Sequence, residues 1–456
     1  MDRLSRSAGR GGAAAPVRAV HLGLGNFFRA HQAAYTEQAP DRAEWGFAAY
    51  SGRRAAAPED LAGQDGLYSL VVRSADEDRV DVVSSLTRVH GAAEHDQWLR
   101  DLASPEVALL TVTVTEAGYL LGANRSLDLA DQQVRDDIRT LRDDITARVR
   151  SAPGRLVAGL AARRRADAGP LAVVPCDNLP GNGPVVTRVL EEMARAVDPA
   201  LAAWIGDSVS VVSTVVDRIT PRPGDDLQEV VRSAIGFEDR SPVVTEPFSE
   251  WLLAGSFPAG RPDWEAAGAG MVDDVTPFEQ RKLWLLNGAH SLLAYAAPVR
   301  GHRTVAEAIQ DQTCLGWVQD WWDEAVAHLD LPTRDLDDYR DALTDRFANH
   351  RIEHQLAQIA ADGSLKLPVR ILPVLRAERS GGQMPRGATR ALAGWVAHLR
   401  ADDSEVQDPR AGDLVAMAAG ELSEAVPRIL AVLDPELADD PDLVESLAEQ
   451  ARELSS

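Results

Sequence analysis

The hydrophobic period of this chain changes once, near residue 270, and that change limits the folds open to it. Up to about residue 250, short β-branched or apolar runs at 17–24, 46–50, 107–113, 171–176 and 209–216 alternate with longer helical stretches, including 28–38 and 127–162. Runs at 67–73 and 80–85 flank an acidic turn at 75–78 and read as a hairpin, and 243–245 is one more candidate strand. Short strands alternating with helices predict a doubly wound parallel sheet. After Met271 only helical patterns remain, at 276–297, 305–329, 335–360, 388–400, 413–433 and 442–454. The expected fold class is therefore α/β with a helical addition. A doubly wound domain spans 16–272, an all-α domain spans 273–456, and residues 1–15 form a flexible tail. A length of 456 residues is ample for two such cores.

Charge narrows the partners. A formal charge of −23 opposes nucleic acid or an anionic membrane, since both would repel this surface. The N-terminal stretch lacks an apolar run long enough for a signal peptide, and no uncharged apolar run reaches membrane-spanning length. Cys176 and Cys314 make no disulfide framework and no zinc-like cluster; they read as small buried hydrophobes in a reducing compartment, which favours the cytoplasm. The Arg163, Arg164 and Arg165 run reads as a solvated helix end, favourable to the dipole.

The run at 17–24 ends in Gly23-Leu24-Gly25 before a helical stretch, the strand, tight turn and helix of a Rossmann-type dinucleotide site. The fingerprint is incomplete, because Phe28 stands at its third glycine. The acid expected about 20 residues later is missing too, and Ser51, Gly52, Arg53 and Arg54 follow the second strand instead. The cofactor expected is NAD, with NADP left open by the two arginines. Thr115 and Glu116, the Asp177-Asn178-Leu179-Pro180-Gly181 loop, and Asp217 all follow strands, where open α/β sheets hold ligands. Asn178 is equally readable as a turn residue bonding its own backbone.

The stretch 276–298, TPFEQRKLWLLNGAHSLLAYAAP, begins in capping chemistry with Thr276, Pro277 and Glu279, and Pro298 ends it. It is apolar on nearly every face and should be buried. Yet Lys282, Asn287 and His290, with Glu279, fall within an arc of roughly 140° on an ideal α-helix. Burying such groups without partners costs about 2–7 kcal/mol for each neutral one, which favours a site over simple structure. Desolvation also lowers a lysine toward the neutrality that a general base needs.

Four segments together, Gly23-Leu24-Gly25-Asn26-Phe27-Phe28-Arg29-Ala30-His31, Cys176-Asp177-Asn178-Leu179-Pro180-Gly181-Asn182-Gly183, Val216-Asp217-Arg218-Ile219-Thr220-Pro221 and the K-x4-N-x2-H pattern of Lys282, Asn287 and His290, resemble the mannitol dehydrogenase family of polyol-specific long-chain dehydrogenases. The matches span 17 to about 375. The resemblance implies zinc-independent hydride transfer between NAD(P) and a secondary alcohol or ketone of a sugar derivative, of the D-mannonate/D-fructuronate or D-mannitol/D-fructose type. It implies Lys282 as general base, Asn178 and Asn287 as stabilisers of the alkoxide, His290 as a substrate-positioning group, and Glu279 on a proton route or only at the helix cap. It places Gly23, Gly25, Asn26, Phe27, Phe28 and Arg29 at the cofactor turn, with Ser51, Thr115, Glu116 and Asp217 as further cofactor contacts. The family's size range implies a monomer or small homo-oligomer with a small-molecule sugar or polyol as partner.

Substrate identity turns on the later segment 346–368. Its Asp362-Gly363-Ser364-x-Lys366 core looks like the family's substrate-side loop, but the mannitol branch carries arginine where Gln358 stands. QIAADGSLKLPVR is more similar to the fructuronate reductase branch, for whose carboxylate Lys366 and Arg370 would be partners. A hexitol phosphate, as in mannitol-1-phosphate 5-dehydrogenase-type activity, would use the same basic groups. Two readings from other classes stand beside this one. His350, Glu353 and His354 spell H-x-x-E-H, a metallohydrolase motif when helical. A non-catalytic NAD-binding regulator would bind cofactor without turnover.

Overall fold

Near-continuous apolar runs form strands that can be buried on both faces only when helices cover a parallel sheet, and the N-terminal unit is built that way. In the computed structural model, residues 2–9, 11–52, 56–401 and 406–454 are described. The chain divides into two units, Met1–Val275 and Thr276–Ser456. The main sheet of the first has strands β1 (Val17–Leu22), β2 (Gly46–Tyr50), β3 (Leu86–His90), β4 (Leu109–Val112), β5 (Leu171–Pro175) and β6 (Val209–Val211). They run parallel in the order β3-β2-β1-β4-β5-β6, so the order reverses beside β1. Alternate residues serve opposite faces. Val20, Leu22, Leu110 and Val173 pack with Trp98, Leu156 and Leu190 on one side, while Ala19, Phe47, Leu109 and Val174 pack with Phe28, Trp251 and Trp264 on the other.

Two small sheets flank the main one. Tyr68–Arg73 and Asp78–Val83 form the expected hairpin, with Val243–Thr245 added alongside in parallel. The run expected as one strand at 209–216 changes sheets at Val212: β6 ends, and Ser213–Asp217 pairs antiparallel with Glu250–Ala254. Helices also end at positions that the apolar pattern does not mark. The expected 28–38 helix divides at His31, where φ is −120° and ψ is −90°, into Asn26–Ala30 and Gln32–Gln38. The expected 127–162 helix becomes Gln132–Asp143 and Ala152–Arg165, because Asp137 Oδ2 accepts from Ser151 N at 2.8 Å and Ser151 Oγ at 2.6 Å.

Two expectations about the surface are corrected. Arg163 is buried rather than solvated: its guanidinium donates to the carbonyls of Leu102, Ser104, Ala168, Gly169 and Pro170, and burial pushes its pKa down to about 10. The expected flexible tail is docked in its described part. Leu4 is fully buried with Leu67, Val71, Leu227 and Val231, and Arg6 donates to Ser84 O at 2.7 Å and Leu86 O at 3.1 Å. Apolar burial of one leucine and five-donor guanidinium chemistry outweigh the local absence of secondary structure.

In the second unit, Arg386–Arg400 packs against both Ala289–Ala296 and Pro441–Leu454. The expected 305–329 helix breaks at Asp311, which caps Gln312–Val326 through Thr313 N at 2.8 Å. Thr333–Ala348 likewise stops before a 3-10 turn at His350–Ile352. The opening helix is not uniform: Thr276–Arg281 is α, Lys282–Gly288 is π, and Ala289–Ala296 is α again. The carbonyls of this wider turn find side-chain donors. Trp321 Nε1 donates to Trp284 O and Trp322 Nε1 to Leu285 O, both at 2.9 Å. Gly288 lets the indole in, since a Cβ there would lie 2.6 Å from Trp321 Cζ2.

Gly288→Ala is therefore expected to cost about 1–3 kcal/mol through overpacking. Gly316→Ala, on a neighbouring helix with open space around the new Cβ, should be neutral or stabilising by up to about 1 kcal/mol. Denaturant melts of the two variants check the contrast.

Candidate active site

The glycine turn hangs between two strand ends. Gly23 N and Leu24 N donate to Tyr50 O at 2.9 and 3.0 Å, and Thr113 Oγ1 donates to Gly23 O at 2.8 Å. Gly23 has φ +115°, and any side chain there would collide with the Thr113 carbonyl. Gly25, Asn26 and Phe27 are half-buried at the turn. Phe28, placed by sequence among cofactor contacts, is instead core. It is fully buried, stacked on His21 with centroids 3.4 Å apart and edge-on to Phe47. Burial pushes His21 down to about 3, so the ring is neutral, with Nδ1 2.8 Å from Thr111 Oγ1. An aromatic stack thus joins helix to strand where a third glycine would allow backbone contact. Arg29 is corrected in the same way: buried, it donates to Asn26 Oδ1 at 2.7 Å, Gly25 O at 3.3 Å and Ser241 O at 2.5 Å, so it braces the turn.

Other cofactor candidates occupy strand ends. Ser51 follows β2, buried, with its N bonded to His90 O and its Oγ without a partner. Arg53 and Arg54, which bear on the choice between NAD and NADP, lie outside the described residues. Thr115 and Glu116 are exposed at the 3-10 turn after β4, and Asn178 is exposed after β5. Ser51, Thr115 and Asn178 thus share the carboxyl edge of the parallel sheet with the glycine turn. Asp217 does not: it is buried at the end of Ser213–Asp217, in a three-stranded sheet.

In the helical unit the π turn alters the face on which the polar groups lie. In α register Lys282 and Asn287 would stand roughly 140° apart. A turn closed from i to i+5 draws residues five apart toward one face, and such turns concentrate at functional sites. Lys282, Asn287 and Glu279 are half-buried, and His290 is buried with Nε2 unpaired. The His290 pKa lies well below the usual range, first because burial disfavours its charge, then because His354, Arg346 and Arg370 repel it. It is a neutral ring with one nitrogen to offer.

The Asp362-Gly363-Ser364 core is the start of a helix, Gly363–Arg370, rather than a loop. Asp362 has φ +60°, and a Cβ on Gly363 would meet Trp395 Nε1 and Tyr295 Oη, so the backbone is pinned from behind. Lys366 Nζ donates to Ile359 O at 3.2 Å, and its pKa is lowered by burial and then by Arg370. Arg370 donates to Ser291 Oγ at 3.1 Å and Asn287 O at 3.4 Å, and burial pushes it down to about 10. His290, Asn287, Arg370 and Lys366 therefore share one neighbourhood. Sequence reasoning missed Ser291 and read His354 only as part of the H-x-x-E-H run; the His354 ring lies edge-on 4.8 Å from that of His290. The only signals were position: Ser291 follows His290, and His354 closes the H-x-x-E-H run.

That run does not form a helical metal motif. His350–Ile352 is a 3-10 turn, His350 and Glu353 are exposed, and Glu353 has φ +33°. Among the described residues, one group has metal-ligand spacing, His302, Asp311 and Cys314, with ligand atoms within 4.8 Å of one another. Arg300 Nε already donates to Asp311 Oδ2 at 2.6 Å and His302 Nε2 lies 3.0 Å away, while burial and Asp311 push the Cys314 thiol up to about 12. Cys176 and Cys314 are buried free thiols, as expected. No helix among the described residues is long and apolar enough to cross a membrane.

Comparison with known proteins places both units. Residues 17–266 match the mannitol dehydrogenase Rossmann domain, and 274–455 match the mannitol dehydrogenase C-terminal domain. D-mannonate oxidoreductase of Escherichia coli (strain K12) is 33% identical over 85% of this chain and 81% of its own length. D-arabinitol 4-dehydrogenase of Ralstonia nicotianae is 36% identical over 80% of this chain and 78% of its own. The structure of Pseudomonas fluorescens mannitol 2-dehydrogenase, a ternary complex with NAD and D-mannitol, superimposes with a TM-score of 0.81 at 30% identity, covering 96% of this chain and 92% of that one. Two domain matches that together cover nearly the whole sequence, and these relatives, establish that the chain belongs to the mannitol dehydrogenase family.

Proposed function

We propose that this protein is an NAD-dependent oxidoreductase that interconverts a secondary alcohol and a ketone of a polyol or sugar acid, with Lys282 as general base. One observation carries the reading: the π turn at Lys282–Gly288 draws Lys282 and Asn287 toward one face, one turn before a buried His290 whose Nε2 lacks a partner. The Gly23 turn, the partnerless Ser51 Oγ and the exposed Thr115 at the carboxyl edge fit a dinucleotide. That cofactor supplies the hydride acceptor. Lys282 Nζ takes the proton of the substrate hydroxyl. The side-chain amides of Asn178 and Asn287 donate to the oxygen as it gains charge, and His290 Nε2 holds a second substrate hydroxyl. Glu279, one turn before Lys282, passes the proton onward; its place in the first turn also suits the helix dipole.

Arg370, near His290, and Lys366, near Arg370, favour a substrate bearing a carboxylate over a neutral polyol. The similarity to D-mannonate oxidoreductase supports the same substrate class. Oxidation of NADH and of NADPH should be measured against fructose, fructuronate, tagaturonate and fructose 6-phosphate. The ketouronates are expected to turn over best, with NADH. Preference for fructose 6-phosphate would reassign the basic groups to a phosphate, and cofactor binding with no turnover on any ketose or ketouronate would favour a regulator.

Lys282→Ala should lower hydride transfer by at least roughly 10²-fold with cofactor affinity unchanged. Near-normal turnover in that variant would refute the assignment of the base. Lys366→Ala should raise KM for a ketouronate by about tenfold, as expected for loss of a charge-assisted contact, and leave KM for fructose within a factor of two. An equal rise for both would remove the carboxylate from its assigned partner.

A further inference from the structure

Asn178 is exposed on the loop after β5, and the backbone of that loop sets where its side chain starts. Both ends of that loop are fixed. Cys176 N donates to Val112 O at 2.7 Å, which fastens the start to β4. Beyond it, Asn182 Nδ2 donates to Thr214 O at 3.0 Å, Asn182 Oδ1 accepts from Thr214 N at 3.0 Å, and Thr214 Oγ1 donates to Pro175 O at 2.6 Å. Between these ends Leu179 is buried in the core and Arg125 donates to Pro180 O, so Asn178 lies between Asp177 and two further anchors.

Asp177 shapes the backbone around Asn178 itself. Its Oδ1 accepts from Leu179 N at 3.3 Å, two residues on, so Asn178 is the residue enclosed by an Asx turn. Its Oδ2 accepts from Tyr119 Oη at 2.5 Å. Tyr119 is fully buried and belongs to the 3-10 turn that follows β4. A buried phenol needs one acceptor, and a backbone carbonyl would satisfy it. Here the acceptor is the carboxylate next to the amide, which ties the ends of β4 and β5 together through a short charge-assisted bond.

We propose that Tyr119 and Asp177 are positioning residues for Asn178, a pair that sets where the amide stands at the carboxyl edge of the sheet. The inference rests on the alkoxide-stabilising role assigned to Asn178 above. The device works only with the carboxylate ionised: a proton on Oδ1 removes the acceptor for Leu179, and one on Oδ2 makes it a donor facing a donor. Burial pushes Asp177 up to about 6, the bonds from Tyr119 and Leu179 hold it down, and Glu116 on the same 3-10 turn raises it. The neighbouring Cys176 thiol is kept neutral by its own burial. The amide is therefore held in place above about pH 6 and released as pH falls through that value. Tyr119→Phe takes away a bond to the carboxylate and should move the limb upward.

The test is single-turnover hydride transfer with the best substrate of the panel, from pH 5 to 9, for Tyr119→Phe, Asp177→Asn, Asn178→Ala and Tyr119→Phe/Asn178→Ala, with NADH affinity and Tm alongside. Misplacing a reacting group costs about 10- to 100-fold. Tyr119→Phe should lose about that much, with NADH affinity within twofold, and its acid limb should shift to higher pH. Asp177→Asn, whose single carbonyl oxygen can keep one of the two acceptor contacts, should remove the limb near pH 6. In the Asn178→Ala background the Tyr119→Phe loss should vanish to within about twofold, since two residues acting through one contact are non-additive. An equal Tyr119→Phe loss in both backgrounds, or an acid limb unchanged in Asp177→Asn, would overturn the proposal. Near-normal transfer in Asn178→Ala would instead sink the role of Asn178 itself. If Tyr119→Phe lowers Tm enough to confuse rates, the Asp177→Asn pH profile decides alone.

Discussion

Two indole N–H groups hold the opening helix of the C-terminal unit in its wider register, and the polar face of that helix depends on them. A π turn leaves buried carbonyls poorly placed for the next turn's amides, and an unpaired buried carbonyl costs about 1–3 kcal/mol. Trp321 and Trp322 donate to the carbonyls of Trp284 and Leu285. Arg370 reaches the carbonyl of Asn287 from the other helix that carries basic groups. One set of bonds thus joins helix register, core packing and the Arg370 guanidinium. Gly288 is the small residue that lets the indole approach.

The N-terminal unit solves a parallel problem with different means. A dinucleotide turn requires the backbone to fold tightly at the end of β1, and Gly23 meets that requirement at φ +115°. The customary third glycine serves close packing of helix on strand. This chain replaces that contact by stacking Phe28 on a neutral, buried His21, and it steadies the short helix with Arg29. Residues that look like ligand contacts in a motif are here the support behind it.

Charge is distributed to match. The chain as a whole is strongly acidic, yet His290 has His354, Arg346 and Arg370 as its charged influences.

Fold class was legible in the sequence because the period of apolar residues reports burial directly: five of the six parallel strands coincide with apolar runs, and the expected helices at 388–400 and 442–454 are present, while that at 413–433 divides into Ala411–Ala418 and Leu422–Leu433. The K-x4-N-x2-H spacing also singles out the residues to which the proposed function assigns the chemistry. Where helices stop was not legible, since Asp137 and Asp311 end them through contacts with particular backbone groups and the chain turns at His31. Nor was the fate of Arg163 and Leu4, whose burial comes from distant segments. Sequence alone determined which residue types could do chemistry and in which order along the chain. The tertiary structure decided the register that brings Lys282 and Asn287 toward one face, because carbonyls displaced by a π turn must find donors, and those donors are 37 residues away in Trp321 and Trp322.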